Sequence, residues 1–169
     1  DTENKYKDST LHVPLRTNEF RYILAVMQER AGHFNEAVAL YQEALQNDIG
    51  LYTAHMRLAG IAEAHGRWPV AITERRNALN ANPDDASLVF DLALTLAKAG
   101  QFQEAEETLK QAMDANPRDA RVPYFLGVVD QQLGKAEDAR VALARFIALA
   151  PSRYDRQIKD AHQRLAAQR

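Results

Sequence analysis

Apolar residues fall in short blocks at helical spacing, and the blocks themselves recur. Phe20, Ile23, Leu24 and Met27 form one stripe, and Ala37, Leu40, Tyr41, Ala44 and Leu45 form a second, with Gly32 between them. Recurrence at three and four residues predicts two amphipathic helices, and a glycine at the end of the first predicts a left-handed turn between them. A shift of 34 residues superimposes Gly32, Gly66, Gly100 and Gly134, then Leu24, Leu58, Leu92 and Leu126, then Ala37, Ala71, Ala105 and Ala139. Pro83, Pro117 and Pro151 close the last three units, and Ile49 stands in that column of the first. Residues 18–51, 52–85, 86–119 and 120–153 are therefore expected to be four helix–turn–helix repeats, each burying against its neighbour a face that it cannot bury alone.

The departures from the pattern predict local features. Asp85 is placed to cap the first helix of the third unit, and Pro69 falls where a second helix begins and proline is tolerated. Arg75 stands in the column of Tyr41, Leu109 and Leu143, where it is expected to bury its stem and keep its guanidinium at the surface. Phe146 replaces the Ala44, Ala78 and Ala112 of earlier units, which implies a different neighbour. That neighbour is expected to be residues 154–169, where Tyr154, Ile158, Ala161 and Leu165 make a stripe suited to capping the stack. Ser152 and Asp155 resemble a capping box at its start. Residues 1–17 have no small residues in the alanine and glycine columns and are not a fifth repeat. They are expected to be a flexible leader, or to dock through Leu11, Val13 and Leu15; Pro14 forbids a helix through that point.

Composition narrows the function. The formal net charge is −2 with a pI of about 6.2, which gives no basic surplus for nucleic acid or anionic lipid. No apolar run is long enough to insert into a membrane. Without cysteine there is no disulfide, thiolate metal site or cysteine nucleophile, and the compartment, cytoplasmic or periplasmic, stays open. Arginine outnumbers lysine, a bias expected of a GC-rich bacterial source, and Asp1 in place of Met is expected of an excised domain or a mature form. The five histidines are dispersed, and no phosphate loop, metal motif or cofactor site is legible, so no catalytic residue is assigned. Glu104, Glu106 and Glu107 are expected on a solvated outer face.

The repeat columns resemble the tetratricopeptide repeat, with its small residue after leucine, its glycine turn, its alanines and its closing proline; Leu92-Ala93, Gly100, Ala105, Ala112 and Pro117 carry the resemblance best. It covers residues 18–153, although the family's tryptophan is replaced by Arg21, His55, Val89 and Pro123. The resemblance implies an all-α, right-handed solenoid of four such repeats with a C-terminal capping helix, acting as a non-catalytic scaffold that binds a protein or peptide. It implies that first helices line a concave groove, which places Tyr22, Met56, Phe90 and Tyr124, then Val26, Gly60, Leu94 and Val128, along an apolar strip. The rim would carry Arg57, Asp91, Lys98 and Arg121, with mixed sign. The other reading of the aromatic and methionine column is packing between helices. The family's carboxylate clamp is not expected, because Tyr22, Val26, Ser87 and Asp91 stand in its columns. Alternatives to the scaffold are a homo-oligomerisation module and an accessory domain of a larger enzyme or membrane assembly.

Overall fold

A computed structural model describes residues 17–48 and 50–167 of the 169-residue chain. The expected leader thus lies almost wholly outside the described residues, as does Ile49. The described residues form α1 (Thr17–Arg30), α2 (Phe34–Asn47), α3 (Tyr52–Ala64), α4 (Trp68–Ala81), α5 (Ala86–Lys98), α6 (Phe102–Ala115), α7 (Arg121–Gln132), α8 (Ala136–Leu149), a 3-10 turn at Ser152–Tyr154 and α9 (Asp155–Ala166). There is no strand among them. Each odd helix packs on the even helix that follows, each even helix packs on the next odd one, and α9 packs on α8.

The turn inside each repeat is built by its glycine. Gly32, Gly66, Gly100 and Gly134 have φ of 82°, 68°, 78° and 72°, a region that costs a side chain strain. The following amide then reaches back: His33 N donates to Gln28 O at 2.9 Å, and Gln101 N to Leu96 O at 2.9 Å. Those bonds satisfy carbonyls that the helix end would leave open. Asp85 caps α5 as expected, accepting from Ser87 N at 2.9 Å.

Small residues set the closeness of the stack. Ala37, Ala71, Ala105 and Ala139 are each fully buried. Gly127, on α7, is closer still to its neighbour: a Cβ there would lie 2.6 Å from Leu143 Cγ and 3.1 Å from Ala139 O. Gly127→Ala is therefore expected to cost about 1–2 kcal/mol by overpacking, despite alanine's better helix propensity. Urea denaturation of the two proteins measures this.

The C-terminal end departs from expectation in one detail. Ser152 lies in the 3-10 turn, Tyr154 occupies the position before α9, and no side chain caps that helix. The capping box is absent because the extra turn separates Ser152 from the helix start. The cap itself forms as the stripe implied: Ala161 is fully buried with Phe146, and Tyr154, Ile158 and Leu165 pack around them.

Candidate partner-binding surface

The two columns assigned to the strip lie on the odd helices, and their fates diverge. Phe90 is a correction. It is 3% exposed, inside the apolar cluster that joins repeats two to four, with its ring 5.7 Å from that of Phe125. Packing claims it because α5 and α7 meet there, and the Arg121 guanidinium lies over its ring, 4.5 Å from the centroid. Tyr22 is half-buried against Tyr41, ring centroids 5.7 Å apart. Tyr124 gives its hydroxyl to Asp160 of α9 at 2.8 Å and packs on Phe125 and Phe146. Met56 accepts a contact from Arg75 Nη1 at 3.0 Å.

The second column stays accessible. Val26, Leu94 and Val128 are each partly exposed, and Gly60 is exposed with open space where a side chain would project. A pocket of about 250 Å³ opens at the N-terminal end of the stack, lined by Glu19, Tyr22, Ile23, Asp48 and Leu51, and it includes Tyr22 alone of the two columns.

The charged residues near the strip are paired within the chain. Arg57 reaches Glu29 at 3.5 Å, Arg121 holds Asp119 through two nitrogens at 2.6–3.1 Å, and Lys98 holds Glu63 at 2.9 Å. Arg75, expected to present its guanidinium to solvent, is only 13% exposed at its side chain. It donates to Glu63 at 2.8 and 3.2 Å and to Thr95 at 3.3 Å, and lies 3.8 Å from Asp91. A buried guanidinium needs such partners, and Glu63 on the preceding helix supplies them. Burial pushes the Glu63 carboxyl up, but hydrogen bonds from Thr95, Arg75 and Lys98 outweigh it and hold the group below its usual range. Asp91, with burial dominant over the attraction of Arg75 and Arg121, is held above it.

Two buried carboxylates escaped the sequence reading. Glu106, expected in solvent, is 4% exposed and bridges Lys110 at 2.6 Å and Lys135 at 2.5 Å, the latter in the next repeat's turn. Asp130 is 2% exposed, and its Oδ1 has no hydrogen-bond partner. Burial, then the charges of Glu106 and Asp138, push its carboxyl up to about 6 against the pull of Lys110 and Lys135. The signal was present in the sequence: Asp130 occupies the column of Ala62 and Leu96, both core residues. Among the described residues, no cluster of three or more histidine or acidic side chains has the geometry to hold a metal ion, and no helix is long and apolar enough to cross a membrane.

Comparison with known proteins agrees with this geometry. No curated protein sequence matches the chain. Among solved structures, it is similar to a crystal structure of MamA, with a TM-score of 0.79 and 20% identity over 90% of this chain and 81% of that one. MamA from Desulfovibrio magneticus RS-1 gives 0.70 and 18%, covering 80% and 77%. YrrB, described as a tetratricopeptide repeat protein with an unusual peptide-binding site, gives 0.70 and 20%, covering 88% and 74%. Two sequence profiles described as tetratricopeptide repeat match, one over residues 71–122 and 96–165 and the other over residues 6–51 and 29–86. With its four glycine-turned helix pairs and profile matches that together run from residue 6 to residue 165, the chain belongs to the tetratricopeptide repeat family.

Proposed function

We propose that the chain is a non-catalytic scaffold that binds a segment of a partner protein along the face of α1, α3, α5 and α7. The anchors are Val26, Leu94 and Val128, with Tyr22, Met56 and Tyr124 beside them. The observation that carries this is the uncharged, accessible column Val26, Gly60, Leu94 and Val128, flanked by charges that already have partners. A ligand laid there removes apolar surface from water without stranding an ion, so affinity comes from burial and depends little on salt. Phe90 supports the face from beneath. The peptide-binding site named for YrrB is that protein's; the shared fold makes an analogous role for this chain reasonable, and the accessible column is its specific support.

Gly60 gives a test that separates binding from folding. Its missing side chain leaves a gap in the strip with nothing within 4 Å. Gly60→Lys fills that gap and replaces a helix-interior glycine, so stability is expected to rise by about 0.5–1 kcal/mol while partner capture is lost. The measurement is a crosslinking pull-down from source extract with wild type and variant, alongside thermal melts. A captured protein retained by the variant at wild-type level would place binding elsewhere.

A further inference from the structure

Between the third and fourth repeats, α6, α7 and α8 enclose a cavity of about 230 Å³, whose apolar lining includes Met113, Leu126 and Val141. It lies away from the strip: Leu126 and Asp130 share one face of α7, two residues or ~200° round the helix from Tyr124 and Val128. Val141 is 63% exposed here, where the two preceding repeats have the polar Thr73 and Glu107 in its column. The buried charge of the lining is Asp130, 2% exposed, whose Oδ1 has no hydrogen-bond partner. Neighbouring cations do not supply one, because Glu106 holds both Lys110 at 2.6 Å and Lys135 at 2.5 Å. Asp138 adds a second carboxylate, and Arg145 stands seven residues, ~10 Å, further along α8. A carboxylate buried without a partner is costly, and the column that holds it is apolar in the two preceding repeats, at Ala62 and Leu96.

We propose that this cavity is a second binding site, for an organic ammonium on a short apolar stem, with its nitrogen at Asp130 and Asp138 and its stem along Met113, Leu126 and Val141. The ammonium is that of a free amine or of a lysine side chain on a partner. Such a group brings the donors and the charge that Asp130 lacks. A water or an inorganic cation would leave the apolar wall unused, and an anion would meet two carboxylates. The stem therefore matters: butylammonium is expected to bind at least ~tenfold tighter than methylammonium. Acidity matters too. Burial, then Glu106 and Asp138, push Asp130 up to about 6 against Lys110 and Lys135, while Arg145 also faces the cavity. Only a minority of Asp130 is ionised at pH 5, so binding is expected to tighten about tenfold from pH 5 to pH 7.5.

NMR titration of the isotope-labelled full chain tests this with two probes, butylammonium and Nα-acetyl-lysine methylamide. At millimolar concentrations the amides of Asp130, Asp138 and Val141 are expected to shift along a saturable curve. Asp130→Asn keeps the side chain's size and removes its charge, and should weaken binding at least tenfold. Val141→Asn, at an exposed position, should weaken butylammonium severalfold. Acetylating the lysine probe at Nζ makes the same comparison on the unaltered protein, and should abolish the shifts. A lysine probe that binds at least as tightly as butylammonium makes a partner's lysine the occupant; saturation by butylammonium alone makes it a free amine. Shifts that stay linear for both probes overturn the proposal. So does equal affinity in Asp130→Asn, with circular dichroism showing the variant folded. Neither result bears on the strip, which lies on the other side of α7.

Discussion

Phe90→Ala is expected to lower the unfolding free energy by about 3–5 kcal/mol, the range for truncating a buried aromatic. The ring is 3% exposed and does three things at once. It fills the junction between α5 and α7 within the largest apolar cluster, meets Phe125 edge-on at 5.7 Å, and presents its face to Arg121. Alanine leaves a cavity and removes a cation–π contact with an arginine that Asp119 holds in place. Urea denaturation followed by circular dichroism measures the loss. A change under 1 kcal/mol would return Phe90 to the binding face. The contrast with Gly60→Lys is informative: one variant is expected to weaken the fold from within, the other to block the surface while strengthening it.

Asp130 is expected to make stability fall as pH rises, against the usual carboxylate trend. Its folded pKa, pushed up to about 6, lies above the ordinary unfolded value of about 3.9. Between those values the folded state holds more protons than the unfolded one, so raising the pH through this window favours unfolding. The penalty is fully present above the folded pKa and vanishes below the unfolded one, amounting to about 3 kcal/mol for two units of separation. Glu63, Glu106, Asp119 and Asp160, all held below their usual range, act in the opposite sense and lose their contribution as pH falls. The measurement is therefore a difference: unfolding free energies of wild type and Asp130→Asn at pH 4.5 and 7.5. The variant should gain on wild type by about 2–3 kcal/mol between the two, and a constant difference would mean that the buried carboxyl titrates normally.

The repeat architecture was legible because each unit states it independently. Gly32, Gly66, Gly100 and Gly134 mark the turns, the alanine column marks close contact, and Phe146 announces α9 by breaking the pattern. What escaped the sequence concerned how far each column sinks. Helical periodicity says which side of a helix a residue occupies, not whether the next repeat's helix lies over it. Phe90 and Leu94 share a face one turn apart, yet α7 covers the first and leaves the second partly open. Charge misled in the same way. Arg75 and Glu106 read as surface residues because long charged side chains usually are, but each has a partner outside its own helix that makes burial tolerable, Glu63 on α3 and Lys135 in the turn before α8. Those partners stand 12 and 29 residues away in the chain, beyond the reach of a local pattern.

The network around Arg75 has a consequence for shape. It ties α3, α4 and α5 together through Glu63, Thr95 and Lys98, at the joint between the second and third repeats. Apolar contacts tolerate sliding, because dispersion and burial change little over a small rotation; hydrogen bonds to a guanidinium weaken steeply when their angles change. The joint is thus held at one angle, like a locked vertebra midway along a spine. A segment bound along this face as proposed would meet an inter-repeat angle set in advance, and would have to match it instead of drawing the protein around itself.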